Sequence, residues 1–334
     1  MRHATRILIR IVAGALAACT LSLLAAQPPE PAAKRVGYVV YGPSTVRGHL
    51  LQAFLDGMRE QGYVEGRNLI VERSYAEGSA ERLQEGVRAL AALKLDVIVT
   101  TCSPSTAAVK QVTSISGTPV VMAVVTDPVG QGLVASLARP GGNITGRSSQ
   151  VEDTIPKMLE LFSMVLPKGS SVGVLHNTNN PAHPLLWERA LQAGRVLDIK
   201  LTRIDVAGSR DFSAAFDSLA RSGLGALLVL PDDGMTMNAR AQLVELATLH
   251  HVPVFYGVRE FVNEGGLMSY GENYASSYRG AAAYVSRILA GARPAELPVE
   301  QPTRFEFVVN LGAARSLGMA IPQSVLLRAD EVLP

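Results

Sequence analysis

The sequence predicts an α/β protein built from two Rossmann-like lobes with parallel sheets and a ligand cleft between them. Short apolar runs alternate with amphipathic helical segments, a pattern typical of parallel sheets that are covered on both faces. This pattern runs four times between residues 35 and 138, and a similar pattern repeats between residues 171 and 257. The length of 334 residues also favours two domains.

The individual elements follow from the spacing of their apolar residues. Short apolar runs between turn signals predict strands at residues 36–41, 68–75, 97–101, 119–125, 171–176, 200–206, 226–230, 252–256, 267–270 and 305–310. Apolar residues that recur on one helical face predict helices at residues 51–58, 83–93, 106–112, 132–138, 186–197, 212–220, 238–249 and 275–289.

Turn-forming residues at 139–143 place the first lobe boundary shortly after them. We expect lobe I to comprise residues 35–147 plus about 271–298, and lobe II to comprise residues 150–258 plus about 300–334. This division makes the chain cross between the lobes more than once, because the late elements must join a sheet in one lobe or the other.

The first 26 residues read as a secretory signal peptide, followed by a linker at 27–34. Arg2, Arg6 and Arg10 precede or enter an apolar run without acidic residues, and small residues end it. A lipoprotein signal that ends before Cys19 is the alternative, and an uncleaved membrane anchor is a third interpretation. We therefore expect export, with the protein either free in the periplasm or attached to a lipid through Cys19.

Charge and cysteine content exclude several classes of function. The formal net charge of +2 becomes −1 when the three arginines of the signal segment are removed, which gives no electrostatic basis for nucleic-acid binding. Cys102 is then the only cysteine, so no intramolecular disulfide can form. No Cys/His spacing suits a structural zinc, and we expect no metal site. The G-x-G-x-x-A match at 130–135 lies four residues beyond its strand and in the fourth unit, so we expect no dinucleotide cofactor.

Parallel sheets bind ligands beyond the carboxyl ends of their strands, against helix N-termini. Hydroxyl groups in the turn after residue 101 suit a carboxylate, Asp127 suits an ammonium group, and tyrosines at strand ends suit an aromatic ring. Capping, turn formation and ordinary packing are the alternatives for these same residues. We interpret Cys102 as a small buried residue rather than a nucleophile, since no base is near it in sequence. The candidate ligand-binding residues are Tyr41, Ser44, Cys102, Ser103, Ser105, Thr106, Thr126, Asp127, Asn179, Asn180, Asp232 and Tyr256.

Several long motifs resemble those of bacterial ABC-transporter substrate-binding proteins related to tryptophan- and tyrosine-binding proteins. Residues 54–66 read FLDGMREQGYVEG, and residues 127–146 read DPVGQGLVASLARPGGNITG. Residues 179–181, 265–271 and 326–332 carry further motifs of this family. The resemblance extends from about residue 35 to the end of the chain.

This resemblance implies a periplasmic-binding-protein type I fold, with three connecting strands and a ligand in the cleft. It also implies a solute receptor that delivers a small molecule to an ABC permease and its ATPase, with an aromatic or other amino acid as the candidate ligand. We expect this receptor to be a monomer. The ligand's carboxylate and amine would then meet residues 103–106, Asp127, Asn179, Asn180 and Asp232. A sensor that reports to a membrane kinase is the alternative function. A hydrolytic enzyme is a third hypothesis, but no nucleophile–base pair supports it, and we expect no catalytic residues.

Overall fold

Two sheets organise the computed structural model, which describes residues 32–42, 48–231 and 234–334. The strands are β1 (Lys34–Val40), β2 (Leu69–Tyr75), β3 (Val97–Thr100), β4 (Val120–Thr126), β5 (Ile144–Ser149), β6 (Ser171–Asn177), β7 (Lys200–Val206), β8 (Ala226–Val229), β9 (Val254–Tyr256), β10 (Met268–Glu272), β11 (Phe305–Asn310) and β12 (Glu331–Leu333).

Twelve helices in the described residues cover these sheets. They are α1 (Gly48–Glu60), α2 (Ala80–Ala91), α3 (Ser103–Ser116), α4 (Val151–Ser163), α5 (His183–Leu197), α6 (Phe212–Arg221), α7 (Gly234–Asn238), α8 (Arg240–Leu249), α9 (Arg259–Asn263), α10 (Tyr274–Leu289), α11 (Leu311–Ser316) and α12 (Gln323–Leu326). Short 3₁₀ turns occur at Ser209–Asp211 and Pro294–Glu296. No helix in the described part of the chain is long and apolar enough to span a bilayer.

The first sheet has the order β2-β1-β3-β4-β5, and all of its strand pairs are parallel. Every residue of β3 and β4 is buried, as expected for strands covered on both faces. The second sheet has the order β12-β11-β10-β9-β8-β6-β7. Its only antiparallel pair joins β10 to β11. The predicted fold class, α/β with two parallel-sheet lobes, is confirmed.

The chain passes between the two lobes at three places. The first is between β5 and α4, because β5 belongs to the first sheet and α4 packs on α5 and β10. The second is between β10 and α10, since α10 returns to pack on α1 and on β3, β4 and β5. The third lies between the turn at Pro294–Glu296, which contacts β5, and β11 in the second sheet. Three crossings of this kind are the connections about which two lobes can close.

The helix predicted at residues 132–138 is wrong, because this segment forms a series of turns. The backbone N–H groups of Leu133 and Val134 donate to the carbonyl of Pro128, and that of Ala135 donates to Pro140. Gly132 has a φ of +65°, which interrupts a right-handed helix. Strand β5 and helix α4 follow this segment, and neither was predicted.

Candidate functional site

A cavity lies between the carboxyl ends of the two sheets, and the space within it, counted together with the adjoining open solvent, is about 450 Å³. Segments that follow β3, β8 and β9 line it, together with β4 and the first turns of α10. The lining residues are Thr101, Cys102, Val124, Leu230, Pro231, Gly234, Thr236, Met237, Gly257, Val258, Phe261, Tyr274 and Tyr278. We call this space the cleft cavity. Its position is the one at which open parallel sheets bind ligands.

The turn after β3 is held by its own hydroxyl groups. Ser105 Oγ accepts hydrogen bonds from the backbone N–H groups of Thr101 and Cys102, both at 3.2 Å, and donates to the Cys102 carbonyl at 2.9 Å. Thr106 Oγ1 lies 2.7 Å from Thr100 Oγ1 and donates to the same carbonyl at 2.9 Å. The predicted residues Ser105 and Thr106 therefore shape the start of α3, while Thr101 and Cys102 reach the cleft cavity.

The neighbouring candidates are also engaged within the first lobe. Ser103 Oγ accepts from Gln131 Nε2 at 3.1 Å, and the hydroxyls of Thr126 and Ser149 lie 2.8 Å apart. Asp127 has a φ of +40°, and its Oδ1 accepts from the backbone N–H three residues later at 2.8 Å. Ser103, Thr126 and Asp127 thus stabilise the turns at this edge of the sheet, and they are not among the lining residues of the cleft cavity.

Asn179 and Asn180 organise the turn after β6 in the second lobe. Asn179 Nδ2 donates to the Ala207 carbonyl at 2.9 Å, and Asn180 Oδ1 accepts from the backbone N–H of Ala182 at 2.9 Å. These are the turn and capping interactions that asparagine side chains commonly make. Neither residue borders the cleft cavity.

A buried histidine links this turn to the cleft. His183 is fully buried at the start of α5, and its Nδ1 accepts a hydrogen bond from the backbone N–H of Asn177 at 2.8 Å. Burial, aided by the nearby His176, lowers the pKa of His183 to about 3. The carbonyl of Pro231 raises the pKa of His183, although His183 Nε2 forms no hydrogen bond of ordinary geometry. His183 is therefore a neutral, buried imidazole next to a residue that lines the cleft cavity.

Neither of the two candidate tyrosines lines the cleft cavity. Tyr256 is fully buried, and its ring stacks on Phe261 with centroids 4.5 Å apart. It borders a separate cavity of about 630 Å³ under the second sheet, and burial raises the pKa of its phenol. Tyr41 is half-buried and packs against the apolar core of the first lobe. The remaining candidates, Ser44 and Asp232, lie outside the described residues.

The aromatic wall of the cleft cavity was not among the candidates. It combines Phe261 of α9 with Tyr274 and Tyr278, which are four residues apart on one face of α10. The Tyr278 hydroxyl donates to the Thr101 carbonyl at 3.3 Å, which joins α10 to the turn after β3. Extending the search from strand ends to the first turns of the following helices would have found these residues.

Ion pairs attach α9 to the far edge of the second sheet. Val258, the N-cap of this helix, and Phe261 within it line the cleft cavity. Arg259 lies 3.3 Å from Glu306 of β11 and 2.7 Å from Glu331 of β12. Because both partners are on strands, they fix the first turn of α9. The C-terminal strand thus helps to position one wall of the cleft cavity.

Charge is concentrated away from the cleft cavity. None of its described lining residues is an Asp, Glu, Lys, Arg or His. A second cavity, open to solvent beside the interlobe crossings, instead carries charges of both signs, including Arg147, Arg304 and Asp330. No cluster of potential metal ligands occurs in the described residues. The cleft cavity is therefore suited to an aromatic or aliphatic group.

Comparisons with known proteins point to a single family. Residues 36–333 match the family model described as ABC transporter substrate binding protein. A tyrosine-binding protein of Clostridioides difficile is 25% identical over 268 residues, which is 80% of this chain and 76% of the relative. A conserved domain protein from Vibrio cholerae has a TM-score of 0.82 at 30% identity, covering 90% of this chain and 99% of that one. A Streptococcus pneumonia ABC domain in complex with L-Trp has a TM-score of 0.82 at 23% identity, with 90% and 100% coverage.

Proposed function

Since this chain belongs to the family of ABC transporter substrate-binding proteins, we propose that it captures an amino acid with an aromatic or large aliphatic side chain in the cleft cavity. The predicted family and its periplasmic-binding-protein type I fold are confirmed. The observation that carries the proposal is that both lobes and α10 supply the walls of one cavity. A ligand there contacts both lobes at once, so that its binding energy favours the closed arrangement.

The residues that line the cleft cavity support an amino acid with an aromatic or large aliphatic side chain as the ligand. The lining includes Met237, Val258, Phe261, Tyr274 and Tyr278, and such a lining suits an apolar side chain. Two relatives also support this ligand class, since one is named a tyrosine-binding protein and one was solved with L-Trp.

The charged ends of an amino acid need polar partners of their own. Cys102, the N-cap of α3, lines the cleft cavity, so a carboxylate placed there would meet the positive end of a 14-residue helix. We propose the remaining candidate polar residues, Asp127 and Asp232 above all, as partners for the ammonium group. Asp232 directly follows Pro231, a lining residue, in the sequence.

Proteins of this family act outside the cytoplasm and serve an ABC importer, and both statements apply to this chain. We propose that residues 1–26 direct it to the periplasm, where it works as a monomer. Attachment to a lipid through Cys19 is the alternative form of the same localisation. The partners in either case are a membrane permease and its ATPase.

A thermal-shift screen of the protein from Gln27 onward tests the ligand class. The panel contains L-tryptophan, L-tyrosine, L-phenylalanine and L-leucine, together with sugars, organic acids and nucleosides. A ligand that binds only the native state adds about 2.7 kcal/mol of stability at a hundred times its Kd. We expect the melting temperature to rise with one or more of the four amino acids. A rise with sugars or nucleosides alone would contradict the proposal.

Val258→Phe is expected to reduce this shift by filling the cleft cavity. Val258 is 4% exposed and lines the cavity, so that a phenyl ring there occupies the ligand's space. The matched control is Val196→Phe, because Val196 is 86% exposed on α5. We expect an affinity loss of about tenfold or more for Val258→Phe, equivalent to roughly 1.4 kcal/mol, and none for the control. Equal affinities in both variants would place the ligand elsewhere.

A further inference from the structure

A carboxylate of the second lobe meets an imidazole of the first lobe across the cleft. Glu260 lies on α9 and His49 lies in the first turn of α1. Glu260 Oε1 is 3.4 Å from His49 Nε2. Gly42 makes a second interlobe approach, since a Cβ added there would be 2.4 Å from Asn238 Oδ1 of α7. The lobes therefore touch on this side of the cleft.

Glu260 is unusually buried for a carboxylate at such a boundary. It is 8% exposed, and its Oε2 has no hydrogen-bond partner among the described residues. The neighbouring Arg259 does not neutralise it, because that guanidinium is held by Glu306 and Glu331. His49 is the partner that the structure gives Glu260, and its side chain is 48% exposed.

The desolvation of Glu260 costs more free energy than its contact with His49 returns, and this difference disfavours closure of the lobes. Removing a carboxylate from water carries a large desolvation cost, and only well-formed hydrogen bonds compensate for it. A single contact of 3.4 Å to a half-exposed imidazole is long for a hydrogen bond, and pairs this exposed contribute little. The burial of Glu260 is thus only partly compensated by its contact with His49.

We propose that Glu260 opposes closure of the lobes, and that His49 limits this opposition, so that the pair sets how much of the ligand-free protein is closed. This inference rests on the proposed function, because closure matters for affinity only if the ligand binds between the lobes. The apparent Kd then scales inversely with the fraction of molecules in the binding-competent state. Both residues are positioning residues, since neither lines the cleft cavity.

The test compares Glu260→Gln with Glu264→Gln by small-angle X-ray scattering without ligand. Glutamine keeps the shape of the side chain and removes the charge. Glu264 terminates the same helix but pairs with Arg240 inside the second lobe at 2.7 Å, which makes it the matched control. We expect a smaller radius of gyration for Glu260→Gln than for the wild type, and no change for Glu264→Gln. An unchanged or larger radius for Glu260→Gln would overturn the proposal.

Titration with L-tryptophan provides a second measurement. We expect Glu260→Gln to bind about fivefold more tightly and His49→Ala to bind more weakly than the wild type. His49→Ala in the Glu260→Gln background should have little further effect, because no buried charge is left without its partner. Equal affinities of Glu260→Gln and the wild type would overturn the proposal. Failure of the wild type itself to bind L-tryptophan would count against the proposed ligand, whereas the ligand-free scattering still decides the role of Glu260.

Discussion

The wild-type protein is expected to lose roughly 2 kcal/mol of stability between pH 7.5 and pH 5 through His183 alone. Burial, with a smaller effect of His176, lowers the pKa of this imidazole from 6.5 to about 3. Between these two values the unfolded chain binds a proton that the folded protein does not bind. Stability therefore falls with decreasing pH, by about 1.4 kcal/mol for each pH unit below 6.5. The full loss, roughly 4–5 kcal/mol, is reached only near pH 3.

Urea unfolding of the wild type and of His183→Gln at both pH values isolates this contribution. Glutamine can still accept the hydrogen bond from the backbone of Asn177 but does not titrate. We expect the difference in unfolding free energy between wild type and variant to shift in favour of the variant as the pH falls. His251→Asn is the control, because His251 is exposed and its φ of +52° suits asparagine. The same difference at both pH values would show that His183 is not a neutral, buried group.

Gly57→Ala is expected to destabilise the protein by about 1–3 kcal/mol through overpacking. A Cβ at this position would lie 2.6 Å from the Arg279 carbonyl oxygen and 2.9 Å from Ala282 Cβ. Both atoms belong to α10, and backbone cannot move aside as the end of a side chain can. Alanine favours an isolated helix by about 1 kcal/mol over glycine, so a net loss of stability reports the close packing of α1 on α10.

Gly48→Ala is the matched control for this prediction. Gly48 begins the same helix, and a Cβ there would meet no described atom within 4 Å. We expect its melting temperature to equal or exceed that of the wild type, while that of Gly57→Ala falls by several degrees. Since α10 carries Tyr274 and Tyr278, Gly57→Ala should also weaken ligand binding. Two equally stable variants would contradict the packing of α10 on the first lobe.

Most strands were predictable because each is marked by a short apolar run within its own segment of the sequence. Fully buried strands such as β4 and β8 read as continuous apolar runs, and the structure places them within a residue or two of the prediction. The segment at 132–138 does not form the predicted helix, because its apolar residues have helical spacing while glycines and flanking prolines impose turns. Strand β5 was missed because ITGRSS lacks the apolar run of its neighbours, and its pairing with β4 is a tertiary property.

The site was only partly predictable, for reasons of geometry. Reading residues after strand ends found Cys102, which lines the cleft cavity. Tyr256 is the last residue of β9, and its side chain points to a face of the sheet, where it packs under Phe261. Tyr274 and Tyr278 reach the cavity because α10 returns to the first lobe, and they were missed because only the residues directly after each strand were considered. The hydroxyls of Ser105 and Thr106 matched a ligand-binding pattern that is equally a capping pattern.

A crystal structure of the protein with the amino acid that gives the largest thermal shift tests the central claim most directly. We predict that the ligand lies in the cleft cavity, with its side chain against Phe261, Tyr274 and Tyr278 and its carboxylate near the start of α3. A ligand bound instead in the charged cavity beside Arg147 and Arg304, or in the cavity beneath Tyr256, would contradict it.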